Sequence, residues 1–327
     1  MTTRLAPVAI SMGDPTGVGP EIIVRALAAR PGLEAVVYGD PDVLAAAARA
    51  CGAAVPARMV STGRHGPHAP GAPTAASGAA QVAALVAAVD AVVDGACSAL
   101  CTAPIHKQSA HAAGFAYPGH TEYLAHRAGD PPHAMMLTAA RPGALRVVLA
   151  TTHVALARVP ALLSPALIAR TIVLCARALV ADFGLEAPRI AVCGLNPHAG
   201  EAGAFGREEA EVIAPAMALA RQELAGLGLG PVRLDGPAVP DAVFRAAVTG
   251  AHDAVVCQYH DQGLIPFKLL HFDDGVNVTI GLPFVRTSPD HGTAHDIAGR
   301  GVVRPDSFVA ALDMAAAMAA RRATRAR

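Results

Sequence analysis

Residues Ala254 to Arg300 read AVVCQYHDQGLIPFKLLHFDDGVNVTIGLPFVRTSPDHGTAHDIAGR, and no other part of the chain gathers so many polar types between apolar runs. A short apolar run, Ala254 to Cys257, turns polar at Gln258-Tyr259-His260-Asp261. Lys268, Asn277 and Arg286 follow over alternating apolar segments, and a Gly/His-rich segment, Asp290 to Gly301, closes the stretch. A metal ligand, an anion clamp and a flexible loop of cofactor size fit that order.

The apolar run before His260 has two counterparts upstream. Leu145 to Ala150 ends in Thr151-Thr152-His153, and Pro188 to Gly194 ends in Leu195-Asn196-Pro197-His198-Ala199-Gly200-Glu201. Helical stretches, Pro165 to Ala181 and Arg207 to Leu224, lie between them. Each of these strands delivers a histidine at its carboxyl end, the edge where ligands bind in open α/β sheets. One histidine after a strand is usually a structural residue; three such residues suit a shared divalent-metal site. Neutral imidazoles favour zinc, cobalt, manganese or iron over calcium. Three ligands leave coordination positions open, as catalytic sites require. Asp261 and Asn196 are candidates to orient the rings.

The opening of the chain has the same strand-to-helix grammar. Pro7 to Met12 is apolar, Gly13-Asp14-Pro15-Thr16-Gly17-Val18-Gly19 turns, and Pro20 and Glu21 suit the first turn of a helix through Ala29. The glycines do not match G-x-G-x-x-G, and no Gly-Lys-Ser/Thr ends the loop. A tight turn needing positive φ explains them as well as a ligand loop does. Glu34 to Tyr38 reads as a strand, Asp42 to Ala50 as a helix, 61 to 76 as a surface loop, Ser77 to Asp94 as a helix and Ser98 to Thr102 as a strand. Tyr117-Pro118-Gly119-His120-Thr121-Glu122 is a turn feeding a helix, with Thr121 as N-cap and free amides suited to a phosphate.

The 327 residues allow a large core and two domains. Lys and Arg total 26 and Asp and Glu total 26, so no electrostatic case exists for nucleic acid or anionic lipid. The one charge cluster, Arg321, Arg322, Arg325 and Arg327, reads as a frayed, solvated helix end. Six cysteines without a Cys-x-x-Cys pair suit buried thiols in a cytoplasmic protein. No secretory signal pattern opens the sequence. Asp90 and Asp94, or Arg170 and Arg177, interrupt the apolar stretches before the ~18 clean residues of a membrane span.

A cation, an amide and a guanidinium at Lys268, Asn277 and Arg286 can hold a phosphate, with Arg supplying a bidentate fork. Asp290-His291-Gly292-Thr293-Ala294-His295-Asp296-Ile297-Ala298-Gly299 resembles the loop that holds the adenosine part of the dinucleotide in isocitrate and isopropylmalate dehydrogenases. That resemblance points to Gly292, Thr293, Ala294 and Asp296 as cofactor contacts.

From Ile10 to about Ala311 the segments together resemble the 4-hydroxythreonine-4-phosphate dehydrogenase family of pyridoxal phosphate biosynthesis. The markers are Ser11 to Glu21, Pro118 to Glu122, Thr151 to His153, Gly194 to Glu201, Tyr259 to Gly263, Gly275 to Thr279 and Val285 to Ser288. The resemblance implies an isocitrate/isopropylmalate dehydrogenase-like fold, two α/β domains with an active-site cleft between them. It places a dinucleotide-binding domain at 1–135 and 285–327 and a metal, substrate and dimerisation domain at 136–284. It implies metal ligands His153, His198 and His260 for one Zn2+, Mg2+ or Co2+ ion. Substrate contacts fall on His120, Thr121, Lys268, Asn277 and Arg286, and each active site is shared across a homodimer. The implied reaction is NAD(P)-dependent oxidation of 4-phosphooxy-L-threonine at C3, then loss of carbon dioxide to give 3-amino-2-oxopropyl phosphate. Lys268 is the candidate acid or base, since a desolvated lysine shifts its pKa readily. A sister dehydrogenase acting on 4-phospho-threonate or 4-phospho-erythronate would use the same residues. A metal-dependent phosphohydrolase would also want three histidines and an anion clamp but no dinucleotide. A non-catalytic phosphometabolite-binding protein would reduce no NAD(P)+.

Overall fold

The computed structural model describes residues 5–325, so Arg327 of the terminal arginine cluster lies outside the described residues. Along the chain run β1 (Val8–Ser11), α1 (Gly19–Ala29), β2 (Ala35–Gly39), α2 (Pro41–Cys51), β3 (Met59–Ser61), α3 (Ala75–Val93), β4 (Ala99–Thr102), α4 (Lys107–Ala112) and α5 (His120–Arg127). Then come β5 (Ala134–Ala139), β6 (Val147–Leu149), α6 (Val159–Leu162), α7 (Pro165–Ala181), β7 (Arg189–Cys193), α8 (Ala214–Ala225), β8 (Arg233–Ala238) and α9 (Pro240–Val248). The chain ends with β9 (Ala254–Cys257), α10 (His260–His271), β10 (Gly275–Ile280), β11 (Val285–Pro289) and α11 (Asp306–Arg325). Two compact units result: Met1–Pro131 with Leu282–Ala323, and Pro132–Gly281 with Thr324–Arg327.

The first unit has strand order β3-β2-β1-β4-β11, every pair parallel. Parallel strands covered on both faces read as unbroken apolar runs, and VAIS, AVVYG and ALCT do so. Leu85, Val89, Leu100, Phe115, Tyr123 and Leu124 form its core. α3 crosses α4 backbone to backbone: a Cβ on Gly78 would lie 1.9 Å from the Ser109 carbonyl oxygen, so glycine is required there. Among the described residues α3 is the one helix long and apolar enough by itself to cross a membrane, despite Asp90. Half of that stretch is buried within the protein. Arg322 is not simply solvated as expected, since it donates to the Leu282 carbonyl at 3.3 Å.

The second unit has the order β10-β5-β6-β9-β7-β8. β5 runs antiparallel to β10 and β6, and β6, β9, β7 and β8 are mutually parallel. Leu137, Val147, Leu149, Val255 and the fully buried Phe267 pack its core. Burying a phenylalanine of this kind contributes roughly 1.5–3 kcal/mol. Ser164 caps α7 by accepting from the Leu167 amide at 3.2 Å, and Pro165 occupies the first turn. The run after Tyr259 is helix: α10 carries Lys268 and accommodates Pro266 within it.

Candidate active site

In the second unit, the strands before His153, His198 and His260 are neighbours. β6 pairs with β9 and β9 with β7, all parallel, so their carboxyl ends share one edge. Two buried glutamines stitch that edge. Gln258 Nε2 donates to the Cys193 carbonyl at 2.6 Å, and Gln262 Nε2 to the Gly194 carbonyl at 2.8 Å. Gln262 Oε1 accepts from the Gln258 amide at 2.7 Å. The Gln258 carbonyl accepts from the Thr151 hydroxyl at 2.7 Å, which draws the His153 loop toward the start of α10.

His153 and His260 consequently face one another, ring centroids 5.4 Å apart. His260 Nδ1 lies 2.7 Å from Asp261 Oδ1. A carboxylate can only accept there, so Nδ1 carries the proton and Nε2 keeps its lone pair. That is the arrangement of a metal-ligating histidine and its carboxylate support. Two imidazoles, one pre-oriented in this way, fit part of a divalent-ion site.

His198 follows a different path. His198, Ala199, Gly200, Glu201 and Ala202 all have positive φ, at 51°, 52°, 81°, 41° and 53°. A left-handed run of mostly non-glycine residues costs roughly 1–2 kcal/mol per residue and must be held from outside. Buried Glu209 holds it, accepting from the Leu195 and Asn196 amides at 2.8 Å each and from Asn196 Nδ2 at 3.1 Å. Asn196 also donates to Glu208 at 2.7 Å, so it anchors this loop instead of orienting an imidazole. The His198 ring contacts Phe205, centroids 6.1 Å apart. Among the described residues, no three His, Cys, Asp or Glu side chains group as a metal site, so the pair His153–His260 is not completed by His198. Lys268 lies half-buried on α10, and Asn277 lies on β10 with its Oδ1 buried and without a hydrogen-bond partner among the described residues.

The first unit carries the other expected residues. β11 holds Arg286, only 4% exposed. Its Nη2 donates to Thr102 Oγ1 at 2.8 Å, at the end of β4, and lies 3.4 Å from His120 Nδ1. Burial lowers the Arg286 pKa to about 10, so the guanidinium stays charged near neutrality. Burial, with Arg286 and Lys107 nearby, holds His120 well below its ordinary value. The neutral ring accepts from Arg286 at Nδ1, so Nε2 bears the proton. That Nε2 is buried with no hydrogen-bond partner among the described residues. Thr121 is the second residue of α5, not its cap. Gly119, extended at φ −178°, is the N-cap, and no side chain caps the helix. Lys107 was not foreseen; its signal was its place just past β4, on the sheet edge that ligands use.

The loop after β11 is fastened in the same unit. The Val18 amide donates to the Thr293 carbonyl at 2.9 Å, and a Cβ on Gly17 would sit 2.8 Å from that oxygen. His295 Nε2 meets Asp14 Oδ2 at 2.8 Å, and Asp14 Oδ1 accepts from the Thr16 amide and hydroxyl at 3.0 and 2.8 Å. Glu21 accepts from the Gly299 amide and, at 2.9 Å, the Gly301 amide. Of the opening glycines, Gly17 serves close approach to this loop, while Gly13, at φ 73°, turns against Pro104 and Gly19 lies against the Met12 carbonyl. Pro70 and Gly71 also press on it, so the loop at 61–76 is not free to vary throughout: a Cβ on Gly299 would lie 2.5 Å from Pro70. Gly292 and Asp296 are exposed, Thr293 and Ala294 half-buried, and Ala294 has φ 42°.

Known proteins match this chain along almost its whole length. Residues 32–315 match the family model described as "Pyridoxal phosphate biosynthetic protein PdxA". A protein of Desulfosudis oleivorans named 4-hydroxythreonine-4-phosphate dehydrogenase is 49% identical, covering 96% of each chain. One of the same name from Roseobacter denitrificans is 46% identical over 98% of this chain and 99% of its own. The crystal structure of 4-hydroxythreonine-4-phosphate dehydrogenase from Klebsiella pneumoniae superposes with a TM-score of 0.82 at 37% identity, covering 96% of this chain and 99% of that one. With such coverage and identity, the chain belongs to the PdxA family of pyridoxal phosphate biosynthetic proteins.

Proposed function

We propose that this protein oxidises 4-phosphooxy-L-threonine with NAD(P)+ to 2-amino-3-oxo-4-phosphooxybutanoate, which loses carbon dioxide to give 3-amino-2-oxopropyl phosphate. The relatives named for this activity support the reading. The observation that carries it is the buried Arg286 beside His120, whose Nε2–H has no partner among the described residues. A guanidinium and a neutral N–H donor suit a phosphoryl group. Arg286, His120 and Thr121 are the proposed phosphate contacts, and Lys268 and Asn277 are further proposed substrate contacts. Holding the phosphate fixes C3 for reaction, an effect worth several kcal/mol.

When bound, a divalent ion would supply Lewis-acid chemistry at the hydroxyl and ketone, and a nicotinamide dinucleotide would accept the hydride. His153 and His260, already paired, are two proposed ligands, and His198 is the proposed third, which requires its loop to swing in from Phe205; Asp261 holds the proton on His260 Nδ1. Lys268 Nζ is the proposed proton carrier. Gly292, Thr293, Ala294 and Asp296 are the proposed dinucleotide contacts, on the first unit.

Ile265 and Leu269 on α10 and Phe272 at its C-cap stand 68, 85 and 78% exposed at helical spacing, on the helix bearing His260 and Lys268. This apolar face supports a homodimer sharing its active sites. Six free cysteines, five of them buried, support a reducing, cytoplasmic setting.

The test is nicotinamide absorbance with 4-phosphooxy-L-threonine, with and without chelator, beside 4-phospho-threonate and 4-phospho-erythronate. Chelator-sensitive reduction that favours the amino substrate is expected. Phosphate release without dinucleotide would overturn the reading in favour of a hydrolase.

A further inference from the structure

We propose that Lys107 is a third cationic contact for the phosphoryl group, an inference that rests on the phosphate reading above. Lys107 opens α4, directly past the end of β4, and its ammonium lies against the start of α5. A Cβ on Gly119 would sit 3.4 Å from Lys107 Cε and 3.7 Å from its Nζ. Gly119 is the N-cap of α5, and no side chain caps that helix. The first amides of any helix lack intrahelical partners and point outward.

The cations here, Lys107 and Arg286 at a helix N-terminus, outnumber the one carboxylate beside them, Glu122. A helix N-terminus carries partial positive charge and disfavours cations. Here Lys107 lies against that terminus, and both Arg286 and Lys107 act on His120 to disfavour its protonation. Glu122 is the acid beside them, its Oε2 3.4 Å from the same Gly119 Cβ position. A dianionic phosphoryl group resolves the conflict: it takes the helix amides, His120 Nε2–H, the Arg286 guanidinium and the Lys107 ammonium together. The buried Nε2–H of His120 is the independent sign that this end of α5 awaits an acceptor.

Lys107→Met and Lys107→Arg test this in the full-length enzyme. The readouts are kcat, KM for the phosphorylated substrate, KM for the dinucleotide, and calorimetric binding of inorganic phosphate. Lys107→Met should raise substrate KM and weaken phosphate binding roughly tenfold or more, as loss of a charge-assisted hydrogen bond does. Its dinucleotide KM should stay within about twofold, and Lys107→Arg should recover most of the loss. Unchanged substrate KM and phosphate affinity, or a parallel fall in every parameter, would overturn the assignment. Should the unaltered enzyme fail to oxidise the substrate, the functional reading falls, while the phosphate titration still decides Lys107.

Discussion

His295 Nε2 meets the buried Asp14 Oδ2 at 2.8 Å, joining two residues from opposite ends of the sequence. The contact fastens the Gly/His-rich loop after β11 to the turn after β1, and Thr293 and Glu21 fasten it again on either side. If that loop binds the dinucleotide, its affinity is set by how firmly these anchors hold. Asp14→Asn should raise KM for the dinucleotide about tenfold, the scale of one charge-assisted hydrogen bond. KM for the phosphorylated substrate should hardly move. Steady-state kinetics with each substrate varied separately checks the split; equal change in both would sink it.

His198→Ala should abolish turnover and metal retention while circular dichroism and the melting profile show a folded protein. Asp261→Asn should weaken metal binding about 10- to 100-fold by loosening the His260 ring. Chelator competition followed by elemental analysis measures both. Full activity in metal-free His198→Ala protein would remove the metal from the mechanism.

Arg286→Ala should raise KM for the phosphorylated substrate by at least ~100-fold and leave dinucleotide binding nearly unchanged. Arg286→Lys should recover little, because a lysine cannot reach Thr102 and the substrate with one planar fork. A kinetic comparison of the two variants is sufficient, and unchanged apparent substrate affinity would refute the clamp.

Stability should fall in mild acid through His271. This ring, on the last residue of α10, is buried, and its Nε2 accepts from the Leu145 amide at 3.3 Å. Burial, with Arg141 beside it, lowers its pKa below the ordinary value. The folded state therefore binds fewer protons than the unfolded state just below pH ~6.5, and stability rises with pH in that window. Its contribution is complete above ~6.5 and lost as pH drops through the depressed folded value. Urea midpoints from pH 5 to 8 should show this slope, and His271→Gln should flatten it.

Much of this was legible because local chemistry and long-range placement agreed. The helical stretch read from Pro165 to Ala181 matches α7 to the residue, and the apolar runs before His153, His198 and His260 proved to be adjacent parallel strands. What escaped notice lacked a local signature. β5 is a short apolar run between Pro131-Pro132 and Pro142-Gly143, and it enters antiparallel, which no periodicity encodes. α10 hid behind Pro266, normally a helix breaker. Thr121 looked like a cap, yet extended Gly119 starts the helix two residues earlier. The Gln258 and Gln262 stitches and the Asp14–His295 tie each depend on partners far along the chain, which spacing alone cannot reveal.

The left-handed segment from His198 to Ala202 reverses the usual rules of replacement. Glycine at 199 or 202 is expected to improve heat resistance by up to ~1 kcal/mol, since it removes a Cβ clash larger than its own flexibility cost. Valine or isoleucine at the same positions should be nearly lethal to folding. A saturation library scored by thermal challenge would therefore show an inverted preference in this segment, with the smallest side chain the fittest.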